Sequence, residues 1–115
     1  MENQKNLEVI MNLIMYGGDA KSNAIEAIQA AKNGEFELAN TKILDAESSL
    51  SKAHNSQTEL LSEEAKGNET IVSLLMVHGQ DHLMNAITFT DLAKEFINMY
   101  ERIADINRQN NNNRI

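Results

Sequence analysis

Apolar residues recur every three or four positions along three long stretches of this chain, and short polar breaks separate the stretches. That period belongs to the α-helix. The first stretch, about Asn3 to Ala31, carries Leu7, Met11, Ile14, Gly18, Ile25 and Ile28 on one stripe. A second stripe holds Leu13, Tyr16, Ala20, Ala24, Ala27 and Ala31. Two apolar stripes need more than one neighbour to cover them. Gly17-Gly18 falls inside the pattern at a cost of about 1 kcal/mol per glycine relative to alanine. The pair therefore marks a kink or a close approach to the backbone.

Asn33-Gly34 offers the left-handed cap that ends a helix, and so short a connection makes antiparallel neighbours. The second helix, about Glu35 to Ala65, repeats Phe36, Ala39, Ile43, Ala46, Leu50, Ala53, Gln57 and Leu60 in a 3-4 rhythm. Such a rhythm predicts left-handed, coiled-coil-like packing. His54 lies beside this seam, and Gln57 is its polar exception. The polar segment Lys66-Gly67-Asn68-Glu69-Thr70 is a loop. The third helix then runs to about Asn107, with Leu75, Gly79, His82, Ala86, Phe89, Ala93, Phe96, Tyr100 and Ile103 as its seam. Leu74, His78, Asp81, Asn85, Thr88 and Leu92 form the adjacent stripe.

The pattern thus predicts an all-α domain over residues 1–108, an antiparallel up-down-up bundle of three long helices. Residues 109–115, with their asparagine run, read as a disordered tail. All three helices carry more apolar surface than one stripe, which a lone bundle would leave exposed, so the expectation is a symmetric homo-oligomer.

Composition agrees with this picture. The 115 residues include no proline, no tryptophan and five glycines, and alanine, leucine, glutamate, lysine and glutamine favour helix. A formal net charge of −7 with no dense basic patch argues against nucleic acid. Zero cysteines exclude disulfides, thiolate metal sites and a cysteine nucleophile. With no leader pattern and no apolar run long enough to span a bilayer, the expected location is the cytoplasm.

One short segment departs from the pattern. Val77-His78-Gly79-Gln80-Asp81-His82-Leu83-Met84 places two imidazoles, a carboxylate and an amide at the apolar start of the third helix. Unpaired polar groups are costly to bury, so these satisfy one another or perform chemistry. His78, Asp81 and His82 are spaced i, i+3, i+4 and share one turn. That spacing admits three readings. The histidines could ligate zinc with Asp81, although the glutamate of H-E-x-x-H is missing and His54 is the one evident outside ligand. A neutral imidazole could carry a phosphoryl group, with Gly79 leaving it room and Gln80 and His82 as donors. Alternatively, the cluster is a hydrogen-bonded or metal-stabilised polar layer in a non-catalytic interaction module.

The same eight residues closely resemble the signature of the enzyme IIA component of the lactose/cellobiose family of the bacterial sugar phosphotransferase system. Gly17-Gly18-Asp19-Ala20-Lys21-Ser22 and the segment Glu47 to Thr58, with Ala53-His54-Asn55-Ser56-Gln57-Thr58, are similar to that family as well. The likeness extends from the first helix to about Tyr100. It implies a phosphotransferase component that forms a transient tele-phosphohistidine at His78, receives the group from HPr and passes it to a cysteine of enzyme IIB. Sugar uptake then proceeds through membrane component IIC. It implies a homotrimer in which Asp81 lies near the axis and shares one divalent cation per trimer, magnesium by the all-oxygen environment. Gln80, His82, Gln57 and His54 become supporting residues. The run Phe89-Thr90-Asp91-Leu92-Ala93-Lys94-Glu95 is similar to members serving cellobiose and other β-glucosides, with lactose and diacetylchitobiose as alternatives.

Overall fold

A glycine in the left-handed region closes each of the first two helices. At the first turn Gly34 has φ +82°, its N–H donates to Ala31 O, and the Glu35 N–H reaches back to Ala30 O at 2.9 Å. This Schellman arrangement needs a residue without a Cβ penalty at the glycine. Gly67, at φ +94°, repeats it with bonds from Gly67 N to Glu64 O and from Asn68 N to Glu63 O, each 3.0 Å. Between and beyond these turns the computed structural model, which describes residues 4–113, contains α1 (Gln4–Lys32), α2 (Phe36–Ala65) and α3 (Leu74–Asn112). The expected start at Asn3 lies outside the described residues.

Cross-helix contacts fix the up-down-up order. Lys5 pairs with Glu59 and Lys42 with Glu26, so α1 and α2 run antiparallel. Glu47 pairs with Lys94 at 3.1 Å and Gln57 with Gln80, so α2 and α3 do too. The buried Ser49 hydroxyl donates to the Asp19 carboxylate, linking α1 and α2 at mid-height. The exposed ion pairs set little of the stability. Most of it comes from two core clusters. Near the α1–α2 turn the core is built of Ala20, Ala24, Ala27, Ala39, Ala46, Ala86 and Ala93 with Ile43 and Ile97. Toward the start of α3 it uses larger side chains, among them Ile10, Leu13, Leu60, Met76 and Leu83.

Two boundaries differ from the sequence expectation. Helix α3 begins at Leu74 because the Ser73 hydroxyl accepts the Met76 N–H at 3.1 Å as an N-cap. The α2–α3 connection therefore also includes Ile71 and Val72. At the far end α3 continues to Asn112, through most of the stretch expected as a disordered tail. Adding residues to an existing helix gains one hydrogen bond per residue without a new nucleus, so asparagine, a weak helix former, can still extend it. Arg114 and Ile115 lie outside the described residues.

The seam of α3 is also displaced by one residue along half its length. Met76, Gly79, Leu83, Ala86, Thr90, Ala93 and Ile97 are buried, whereas Leu75, His82, Phe89 and Phe96 flank the core. In α2, Ser49 and Ser56 are buried where Leu50 and Gln57 were expected. Thr90 is wholly buried and its Oγ1 has no hydrogen-bond partner among the described residues. Thr90→Val, which keeps the shape and removes the unpaired hydroxyl, should stabilise the chain by about 1 kcal/mol. A denaturation midpoint at or below that of the parent would refute the assignment.

Candidate functional site

The one-residue displacement of the seam decides which histidine faces solvent. With Gly79 and Leu83 turned into the core, His78 is exposed and His82 half-buried on the flank of α3 that meets α1. The two rings meet edge to face, with centroids 4.4 Å apart and planes at 70°. A T-shaped contact of this kind orients both imidazoles. Asp81 is exposed on the face of α3 opposite the core, and its Oδ1 accepts Asn85 Nδ2 at 2.8 Å. A small groove beside His82 is lined by Gly17, Gly18, Lys21, Asp81, His82 and Asn85. The Lys21 ammonium lies 5.8 Å from the centre of the Phe89 ring, at the side of this groove.

Glycines determine how close α1 comes. A Cβ at Gly17 would meet the His82 carbonyl carbon and oxygen at 3.2 Å, while one at Gly18 would meet nothing within 4 Å. Gly17 is thus the close approach that the glycine pair signalled, and α1 runs through it as one helix. Gly17→Val would drive branched carbons into the backbone of α3 and part the helices beneath His82. The expected loss is about 2 kcal/mol, measurable by denaturant titration, and an unchanged midpoint would contradict the packing.

Gly79 requires a correction. It does not clear space beside His78, because it is buried against α1, where a Cβ would meet Ile10 Cγ2 at 3.3 Å and Leu13 Cβ at 3.5 Å. Its smallness serves helix packing.

The remaining expected supports lie elsewhere in the chain. Gln57 Nε2 donates to Gln80 Oε1 at 2.8 Å, on the flank of α3 that meets α2. His54 lines a shallow groove with Glu47, Ser51, Thr90, Asp91 and Lys94, also on the α2 side. Within one chain neither reaches the His78–His82 pair. The described residues contain no group of three His, Cys, Asp or Glu side chains gathered to hold a metal ion, so one chain does not assemble the zinc site considered from spacing. Sequence reasoning also passed over the apolar groove of Leu60, Leu61, Val72, Met76, Val77 and Met84, closed by Gln80 and Asp81. The exposed Ile71-Val72 pair ahead of α3 was its available signal.

The fold and the site define an all-helical bundle that presents an exposed imidazole in ring contact with a second one, on a helix with large apolar residues on its outer face. Comparison with known proteins identifies the family. Residues 8–101 match the model for the PTS system, Lactose/Cellobiose specific IIA subunit. The chain is 50% identical over 103 residues to the lichenan-specific phosphotransferase enzyme IIA component of Bacillus subtilis (strain 168), covering 90% of this chain and 94% of the relative. Among solved structures it resembles the PTS cellobiose-specific enzyme IIA from Bacillus anthracis, with a TM-score of 0.87, 41% identity, and coverage of 91% and 95% of the two chains. It also resembles the subunit in solution structures of the IIA(Chitobiose)-HPr complex, with a TM-score of 0.78, 33% identity, and coverage of 89% and 99%. The chain belongs to the lactose/cellobiose-specific IIA family and is a phosphotransferase component of the sugar phosphotransferase system.

Proposed function

We propose that this chain carries a phosphoryl group on His78 between HPr and a cysteine of enzyme IIB, as part of a homotrimer. The observation that carries this reading is the exposure of His78 together with its ring contact to His82. The neutral His78 imidazole attacks phosphorus at Nε2. A new N–P bond forms as the N–P bond of the donor phosphohistidine breaks, and the donor imidazole leaves with the bonding pair. In the second half, the IIB thiolate attacks the same phosphorus and His78 departs with its lone pair. His82 holds the acceptor ring in place, so less orientation is lost at the transition state. HPr as donor is supported by the likeness to the IIA(Chitobiose)-HPr complex.

Self-association is supported by the outer face of α3, where Leu74, Val77, Met84, Leu92, Phe96 and Met99 are all exposed. Three copies packed on this face bring three Asp81 carboxylates together, and a shared divalent cation, magnesium for an all-oxygen set, offsets their repulsion. Asp81 fits that role in being exposed on the packing face with one oxygen already held by Asn85. The same packing turns the His78 flank of one copy toward the Val77, Gln80 and Met84 flank of the next. Gln80 is then a supporting residue across the interface, while Gln57 holds it from behind and His54 stands further off. The similarity to lichenan- and cellobiose-specific proteins supports a β-glucoside as the transported sugar, and the family match supports a carrier working at the cytoplasmic side of component IIC. Among the described residues no helix is long and apolar enough to cross a membrane.

With enzyme I, HPr and labelled phosphoenolpyruvate, the chain should acquire one acid-labile phosphoryl group per copy and lose it on addition of enzyme IIB. A chain that stays unlabelled while HPr is fully phosphorylated would overturn the proposal.

A further inference from the structure

Two imidazoles four residues apart on a helix stand one turn from each other, the separation at which a helix can offer two nitrogen ligands to a single metal ion. His78 and His82 have that separation. Their side chains are already neighbours, with ring centroids 4.4 Å apart and planes at 70°. Apart from this ring contact, neither imidazole has a hydrogen-bond or ion-pair partner among the described residues, so the nitrogens of both are open to a ligand. An edge-to-face pair is not itself a coordination geometry. His78 is exposed, however, and an exposed side chain changes rotamer within nanoseconds. His82 is half-buried on the flank where Gly17 brings α1 against its backbone, so one ligand is held while the other turns to meet the ion. No third His, Cys, Asp or Glu of the described residues gathers with them. The pair is therefore a two-ligand chelate, different from the three-ligand zinc site that one chain does not assemble.

We propose that His78 and His82 chelate a divalent transition-metal ion of the zinc class, and that the bound ion shuts off phosphoryl acceptance. The ligand class follows from the donors. Imidazole nitrogen suits zinc, copper and nickel, whereas magnesium and calcium require oxygen, so this ion is a different one from any shared by Asp81 carboxylates. Water fills the coordination positions that the protein leaves open. Inhibition follows from the electrons available on the ring. A neutral imidazole has one in-plane lone pair, and its other nitrogen carries a hydrogen. Once that pair is donated to the metal, at either nitrogen, none remains to form the N–P bond. The inhibition rests on the phosphohistidine reading above, while the chelate itself does not.

The chain has three histidines and no cysteine, which makes the test direct. Calorimetric titration of the full chain with zinc chloride, in excess magnesium, should give one zinc ion per chain. His78→Ala and His82→Ala should each weaken binding by about tenfold or more, because a lone imidazole loses the effective concentration of its partner. His54→Ala should leave zinc binding unchanged. Asp81→Leu should still take one zinc per chain, which separates this site from a cation shared among three copies. In the parent, the imidazole nitrogen resonances of His78 and His82 should move on zinc addition and those of His54 should not, a readout that needs no substitution. Equal affinity in all three alanine variants, or zinc binding that vanishes in Asp81→Leu, would overturn the chelate. Purified phospho-HPr then serves as donor, so that zinc meets no enzyme I. Saturating zinc should slow labelling of the parent by about tenfold or more, as mass action on the nucleophile requires, and a chelator should restore it. His82→Ala, which keeps the nucleophile without the chelate, should label at its own rate with or without zinc. Zinc held by both histidines with parent labelling undiminished would overturn the inhibition and remove the phosphoryl group from His78. A parent that binds no zinc yet labels on His78 would overturn the chelate and leave the carrier reading standing.

Discussion

His78→Ala should reduce phosphoryl labelling by HPr to background while leaving helix content and oligomeric mass unchanged. The fold should survive because His78 is exposed and its ring meets one neighbour, His82. The loss should be complete because neither remaining histidine can substitute. His82 is half-buried in the flank packed on α1, and His54 lines a groove on the α2 side of the bundle. His82→Ala is the informative companion. It removes the ring that orients His78 without removing the nucleophile, so labelling should still reach one group per chain but at a rate about tenfold to a hundredfold lower. Stoichiometric label in His78→Ala would transfer the role to another side chain. Loss of all label in His82→Ala with normal kinetics in His78→Ala would exchange the two assignments.

Much of the architecture was legible in the chain, for reasons specific to its elements. Both glycine turns could be located because a left-handed cap needs glycine, and Asn33-Gly34 and Lys66-Gly67 interrupt otherwise continuous periodicity. The phase of that periodicity was less secure. Helix α3 is apolar on two faces, so a seam through Leu75, His82, Phe89 and Phe96 satisfies the 3-4 rhythm as well as the true one through Met76, Leu83, Thr90 and Ile97. In α2 the serines at positions 49 and 56 are buried because small side chains fit a close interface, something hydropathy does not register. The same blindness affected Gly79. Spacing alone cannot distinguish a glycine that admits a ligand from one that admits a neighbouring helix. The asparagine run was misleading for another reason, since composition suggested disorder while α3 extends through it to Asn112 on hydrogen bonds that need no new nucleus.

At the site, i, i+3, i+4 spacing was enough to place His78, Asp81 and His82 on one turn. It could not say which imidazole faces outward, because that depends on the phase of the seam. The direction of Asp81 was equally hidden. With Gly79 and Leu83 as the buried positions, Asp81 falls on the outer side of α3, next to the exposed Val77 and Met84. His78 and Asp81 are thus three residues apart, and in the proposed reading they have different tasks, one to carry the phosphoryl group and one to meet other copies.

That separation leads to the second large effect. Asp81→Leu should leave an oligomer that no longer responds to chelation, while the parent protein should lose thermal stability when divalent cations are removed. Three carboxylates gathered on an axis repel one another, and a pair of unit charges at 4 Å amounts to about 4 kcal/mol at an effective dielectric constant of 20. A bound cation reverses this penalty and so stabilises the assembled state by mass action. Leucine removes the charges and extends the apolar row formed by Val77, Met84 and Leu92, and replacing interacting buried charges by apolar groups is often neutral or stabilising. Melting at fixed chain concentration, with and without chelator, separates the cases. The parent should shift downward by several degrees and Asp81→Leu by none, with labelling of His78 retained in the variant because the Asp81 carboxylate is bonded to Asn85 and not to either imidazole. A parent indifferent to chelator would remove the cation from the account. A variant that chelator destabilises as much as the parent would place the metal elsewhere in the assembly. Stability retained by the chelated parent would then be the share that apolar packing contributes without metal.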